Sequence, residues 1–144
     1  MIETIERACR LVAAPAASPI EVARGLGTIV EGGEGDHEIV VRPPDRSVRA
    51  ATVVARIDAP ETDLVVLDPS PEARLTVADL VAAFGAYREG PRTRPGSPRR
   101  FVFHTNFHGP TNTCAVIAEV AAAQGEIGGE PVERVTVRRD PILR

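Results

Sequence analysis

Residues 75–85, with the sequence LTVADLVAAFG, decide the fold because they begin and end a helix within one short segment. The Thr76 hydroxyl can cap the helix, and the Asp79 carboxylate three residues later can accept a bond in return, which makes a capping box. Leu80 and Phe84 continue at helical spacing, and Gly85 tolerates the left-handed conformation that ends many helices. The segment therefore predicts a short helix that ends at Gly85.

A second helix is predicted upstream, at Ser18-Pro19-Ile20-Glu21. Ser18 can cap this helix, and Glu21 completes a second capping box. Pro19 suits the first helical position, because the N–H that it lacks would have no partner there. The helix should end near Gly25 and Gly27. The chain thus begins the same pattern twice.

A third helix is predicted at residues 2–14, before the other two. Its apolar side chains recur at helical spacing on one face, and charged side chains take the opposite face. The apolar face consists of Ile5, Ala8, Cys9 and Val12. Pro15 should end this helix.

Six segments have the composition or the alternation of β-strands and lie between turn residues. They are residues 37–42, 49–57, 63–67, 101–107, 113–120 and 132–138. One region, residues 111–124, has two interpretations. Cys114, Ile117 and Ala121 share a helical stripe, whereas the alternation up to Val120 indicates a strand. We favour the strand through Val120.

The order helix, strand, strand, strand occurs twice, over residues 18–71 and 75–141. Equivalent elements lie at slowly growing offsets, as loop insertions would produce. Side-chain identity between the two segments is low, so coincidence is the alternative to a degenerate repeat. We predict one small α+β domain over residues 1–144, in which helices pack on one face of an antiparallel sheet and the helix at 2–14 precedes the repeats.

The composition excludes several classes of protein. All 17 basic residues are arginine, which excludes Schiff-base chemistry and a Walker-A phosphate loop. A net charge of −3 lacks the positive field of a general nucleic-acid binder. No apolar run approaches the ~18 residues of a membrane span, and the first residues lack the pattern of a signal peptide. Since two cysteines do not make a disulfide framework, we expect a cytoplasmic protein in which Cys9 and Cys114 are reduced core residues.

The most suggestive polar residues lie on and just after the strand at 101–107. Alternation places Phe101 and Phe103 on one face and His104, Asn106 and His108 on the other. On a strand, the backbones of the two histidines are ~13 Å apart, which is too far for nitrogens that share one zinc ion. We therefore predict no metal and no other cofactor, and the plain interpretation is a polar face in water.

Residues 88–100 form an arginine-rich segment stiffened by proline, next to that strand. The segment holds five arginines and one glutamate and ends in Arg99 and Arg100. Guanidinium groups bind carboxylates and phosphates through paired hydrogen bonds, so the segment favours an acidic partner. The alternative is a solvated loop without a ligand.

The capped helix LTVADLVAAFG, the arginine-rich segment and the strands after it resemble the repeated unit of the beta-lactamase-inhibitor-protein-like fold. The resemblance is better over residues 75–140 than over 18–69. It implies a helical element laid on one face of an antiparallel sheet, and a module that holds another protein on the open face. The chain departs from this family because it lacks a signal peptide, a disulfide in each repeat and an aromatic-rich binding face.

Two functions are compatible with these observations. The first is a non-enzymatic interaction module, such as an inhibitor, an immunity protein or a chaperone-like partner, whose contact residues are Arg99, Arg100, His104, Asn106 and His108. The second is a small enzyme in which His104 or His108 is the general base and Arg99 or Arg100 holds an anionic substrate. A homo-oligomer with paired sheet faces is a third arrangement that the sequence leaves open.

Overall fold

One antiparallel sheet with three helices on one face forms the molecule, in agreement with the α+β class predicted from the sequence. The computed structural model describes residues 1–15, 17–57, 61–91, 94, 96–108, 112–121 and 129–141. The helices are α1 (Ile2–Ala13), α2 (Pro19–Leu26) and α3 (Val77–Phe84). The strands are β1 (Thr28–Glu31), β2 (Glu38–Arg42), β3 (Val48–Ala55), β4 (Thr62–Pro69), β5 (Tyr87–Glu89), β6 (Arg99–His108), β7 (Asn112–Val120) and β8 (Val132–Pro141).

The strand order in the sheet is β1-β2-β3-β4-β8-β7-β6-β5, so β4 and β8 meet in the middle. The first half of the sheet follows α2, and the second half follows α3. Each half has four strands, whereas the sequence predicts three. The interpretation of the two halves as degenerate repeats stays a prediction.

All six predicted strands are present, as β2, β3, β4, β6, β7 and β8. The segment with two interpretations is a strand up to Val120, as its alternation indicates; residues 122–128 lie outside the described part. The sequence does not predict β1 and β5, which have only four and three residues. Runs this short give no periodicity, and so Arg88 and Glu89 lie in a strand rather than in the expected loop.

The helix ends follow the predicted local chemistry. Thr76 and Asp79 form the full capping box, with bonds of 3.2 and 3.0 Å. At α2, Ser18 accepts a bond from the Glu21 N–H at 3.4 Å, but among the described contacts Glu21 does not return it. Gly85 ends α3 with a φ of 90°, a conformation that favours glycine.

The core lies between the helices and one face of the sheet. The apolar stripe predicted for α1, which includes Ile5 and Val12, is fully buried. This helix lies over the middle of the sheet and contacts β4, β6, β7 and β8, while α2 covers β1 to β3 and α3 covers β6. The largest buried side chains are Phe101 and Phe103 on β6.

A disulfide joins Cys9 on α1 to Cys114 on β7. Both residues are buried in the core, as predicted, but the expectation of reduced thiols is wrong. The sequence argument treats each cysteine alone, whereas the fold brings together two residues that are 105 positions apart. The bond fastens α1 to the centre of the sheet.

Candidate binding face

The sheet has two different faces, because successive side chains along a strand point to opposite sides. On the inner face, Ile39, Val53 and Val65 are buried in the core beneath the helices. All three helices contribute buried residues to this one core, so within the described residues none lies on the opposite, outer face. Ala115 and Ile117 on the outer face are buried too, yet they do not belong to that core.

One row of residues, which we call the middle row, crosses the outer face with one member from each strand. In register order it consists of Glu31, Val40, Thr52, Val66, Thr136, Ile117, Val102 and Arg88. The six central members are uncharged, and only the ends carry charge, negative at Glu31 and positive at Arg88. Apart from Ile117, the central side chains are half-buried, so they retain surface that a partner can cover.

Two flanking rows lie on either side of the middle row. The first consists of Glu38, Val54, Leu64, Arg138, Ala115 and His104. The second consists of Arg42, Ala50, Asp68, Arg134, Glu119 and Arg100. Both rows mix the two signs of charge, so the apolar centre has a charged rim.

Ion pairs hold several of the rim side chains. Asp68 and Arg134 are joined across β4 and β8 at 3.5 Å. Arg138 donates two hydrogen bonds to Asp140, at 2.7 and 3.2 Å, and this contact raises the pKa of Arg138 above its ordinary value. These contacts fix the guanidinium groups on the rim of the outer face.

Three of the predicted binding residues lie together on β6. Arg100 and His104 belong to the flanking rows of the outer face, and Asn106 is exposed two residues further on. The pairing of β6 with β7 is irregular between His104 and His108, and the backbone of His108 pairs with Thr113. The structure describes no side-chain position for His108.

Arg99 does not join that group. Its guanidinium donates two hydrogen bonds to Glu89, at 3.0 and 2.6 Å, and lies 5.3 Å from the centre of the Phe101 ring. Phe101 belongs to the inner core, so Arg99 lies on the inner side. The bonds to Glu89 raise the pKa of Arg99. Arg99 therefore stabilises the pairing of β5 with β6.

Among the described side chains of β6, Arg100 and His104 do not form the close arginine–histidine pair that the enzyme hypothesis needs. Val102 separates Arg100 from His104, which puts the two backbones ~13 Å apart along the strand. The third histidine, His37, lines a depression of about 410 Å³ together with Arg56. Both side chains are exposed, and Arg56 pairs with Glu61 at 3.7 Å. Within the described residues, no cluster of three or more His, Cys, Asp or Glu could hold a metal ion.

The sequence does not predict several of the residues that lie on the outer face. Glu31 and Arg88 belong to strands too short to predict, and Arg134 and Arg138 lie on a predicted strand whose neighbours were unknown. The alternation of residues 132–138 does contain a usable signal, because its arginines fall between buried valines. The ion pair of Arg134 with Asp68 depends on the strand order, which no local pattern gives.

Comparisons with known proteins assign no family to this chain. No family model matches it, and neither the curated proteins nor the solved structures contain a match. None of the described helices has both the length and the apolar character needed to cross a membrane. The outer face is therefore interpreted from its own chemistry.

Proposed function

We propose that this chain is a non-enzymatic interaction module that holds another protein on the outer face of its sheet. The middle row carries the proposal, because six adjacent strands present uncharged side chains there with no described helix over them. Apolar surface left in water costs about 25 cal/mol per Å². A row of uncharged and mostly aliphatic side chains with a charged rim is typical of a surface that a protein partner covers.

Arg100, His104 and Asn106 are the predicted contact residues that we retain in this proposal. Their exposure beside the middle row supports the choice. Arg99 is omitted, because Glu89 engages its guanidinium on the other side of the sheet. The role of His108 stays a prediction from the sequence.

The β5–β6 end of the outer face supports an acidic contact. Arg88 and Arg100 lie on these neighbouring strands, both exposed, and Glu119 is the acidic register neighbour of Arg100. The positive charge therefore exceeds the negative charge at this end. A carboxylate of the partner would gain paired hydrogen bonds here and would associate faster.

The beta-lactamase-inhibitor-protein-like resemblance adds a model for this use of a sheet. It implies that the open side of the sheet holds the partner, and it supports an inhibitor, immunity or chaperone-like role as part of the proposal. Neither a nucleic acid nor a cofactor is included, because the net charge is −3 and no motif for either is present in the sequence.

The proposed cytoplasmic location now depends on the redox state of the cysteines. A reducing compartment disfavours disulfides, although Cys9 and Cys114 are almost inaccessible to reductants. Alkylation of the protein as it is released from cells into denaturant measures this state. Two free thiols per chain support the cytoplasm, and a complete absence of free thiols contradicts it.

Photo-crosslinking tests whether the outer face binds protein. The photoreactive residue p-benzoyl-phenylalanine replaces Val66 at the centre of the outer face, or Val81 on α3 as an exposed control on the helix side. In cells that naturally make the chain, we expect a crosslinked protein from position 66 and not from position 81. Equal yields from both positions, or no adduct at all, contradict the proposal.

The identified partner then allows an affinity measurement. Val66→Asp and Arg88→Glu are each expected to weaken binding at least about 10-fold, since buried apolar and arginine contacts dominate interfaces. Arg24→Glu on α2 is the matched surface control and should leave the dissociation constant unchanged. Outer-face variants that bind as tightly as this control would contradict the proposal.

A further inference from the structure

Two pairs of charged residues on the outer face have opposite signs at equivalent positions on either side of the line between β4 and β8. Glu31 ends the middle row on β1, and Arg88 ends it on β5, each on the fourth strand from that line. Asp68 and Arg134 lie directly beside the line, on β4 and β8. These two pairs are therefore complementary to their own rotated image.

From this arrangement we infer that the partner on the outer face is a second copy of this chain. The two-fold axis runs parallel to the strands, along the line between β4 and β8. A rotation of 180° about this axis places β1 of one copy over β5 of the other and β4 over β8. Every residue then faces a residue of the same row in the other copy. Glu31 then faces Arg88 of the other copy, Asp68 faces Arg134, and each contact occurs twice. The inference rests on the proposed function and names the partner for that same face.

The uncharged residues meet in the same arrangement. In the middle row, Val66 faces Thr136 of the other copy and Val40 faces Val102, while Thr52 lies over Ile117, which is already buried in the single chain. In the first flanking row, Leu64 faces the alkyl stem of Arg138 and Glu38 faces His104, while Val54 lies over the buried Ala115. Two sheets pack in this way about 10 Å apart with their strands within about 30° of each other.

A different dimer and a different partner both fit these charges less well. A dimer whose two-fold axis runs across the strands would place Arg134 against Arg138 and Asp68 against Leu64. A uniformly acidic partner would place its carboxylates against Asp68 and Glu119. The proposed arrangement has one unfavourable contact, between Arg42 and Arg100 at the rim. Glu119, the register neighbour of Arg100, weakens that repulsion.

The size of the face sets the expected affinity. Eight strands spaced ~4.8 Å apart and three rows spaced ~7 Å apart give the outer face an area of roughly 750 Å² on each copy. A standard interface covers about 800 Å² on each partner. Because much of the rim is polar and part of the apolar row is already buried, we expect a dissociation constant in the micromolar range.

A charge exchange between two variants tests the inference. Glu31→Arg and Arg88→Glu change exposed residues at opposite edges of the sheet, and neither residue forms an ion pair in the described part of the chain. Sedimentation equilibrium from about 1 to 500 µM should show a wild-type dimer. Each variant alone should associate about 100-fold more weakly, because it places two like-charge contacts in the interface. An equimolar mixture of the two should recover association, because both contacts become attractive again, and Arg24→Glu should behave as wild type.

Several results would overturn the inference. A wild-type chain that stays monomeric removes the second copy as partner, but the proposed function survives if a different protein crosslinks to position 66. Dimers unaffected by either variant, or folded variants whose mixture does not associate, also contradict it. If a variant unfolds, methyl NMR spectra of the wild type at increasing protein concentration provide the test instead. Methyl signals of Leu64 and Val66 that shift with concentration while Val81 stays constant support association through the outer face. A shift of Val81 with constant Leu64 and Val66 overturns the inference.

Discussion

The two faces of the sheet use the same β-branched residues in different surroundings. On β4, Val65 is fully buried beneath the helices, while the next residue, Val66, is half-buried on the outer face. A helix fastened by a disulfide covers the inner face, and no described element covers the outer one. The contrast shows that one residue type can stabilise the fold on one side and supply a contact surface on the other. Substitutions on the inner face should therefore change stability, and those on the outer face should change association.

Loss of the disulfide should have the largest effect on the inner face. A cross-link between residues 105 positions apart constrains the unfolded chain by about 4 to 5 kcal/mol. The double variant Cys9→Ala/Cys114→Ala should lower the free energy of unfolding by about 4 kcal/mol, as measured by urea denaturation. Wild type unfolded in the presence of a reductant is the matched control and should shift to the same midpoint. A midpoint that does not move would show that the bond contributes no stability.

Truncation of neighbouring residues on β6 should separate the two faces. Phe103 is fully buried and packs against Phe84 and Tyr87, so Phe103→Ala should cost about 3 to 4 kcal/mol. Val102 on the outer face is half-buried, and Val102→Ala should cost less than about 1 kcal/mol. Thermal and urea unfolding of the pair provide the measurement. Equal losses would mean that the outer face is packed as tightly as the core.

The adjacent valines of β4 give a matched comparison with a smaller effect. Val65→Thr buries a hydroxyl without a partner and should cost about 2 kcal/mol. Val66→Thr leaves the hydroxyl within reach of water and should change stability by less than about 0.5 kcal/mol. The difference between the unfolding midpoints of the two variants measures how much more the hydroxyl costs beneath the helices than on the outer face. A reversed order would contradict the assignment of the faces.

The contacts of Asp45 should give the smallest effect, one that depends on pH. Partial burial alone would raise the pKa of Asp45, but hydrogen bonds from Ser47, the Met1 amino group and Thr4 lower it well below its ordinary value. Asp45→Asn should cost about 1 kcal/mol at neutral pH. Because the pKa in the folded state lies well below the unfolded value of about 3.9, this cost should begin to fall as the pH drops below about 4 and should vanish only below the folded-state pKa. A cost that does not decrease at all between about pH 7 and about pH 2 would exclude this cause.

Local chemistry makes the helices and six strands predictable. The caps at Ser18 and Thr76 and the alternation on β6 need no knowledge of distant residues. Alternation also places Arg99 on the side of Phe101, a signal that the charge of the arginine-rich segment obscures. The disulfide and the rows of the outer face depend on which strands become neighbours, and a pattern along the chain does not contain that information.

The shortness of the two end strands has a consequence for crowded solutions. β1 has four residues with a shifted register between Ile29 and Glu31, and β5 has three. Long, flat strand edges are templates on which further molecules add side by side without limit, whereas short or bulged edges interrupt that addition. Both end strands are thus poor templates for growth into fibres. A contact between flat sides, by contrast, is complete once two molecules have met.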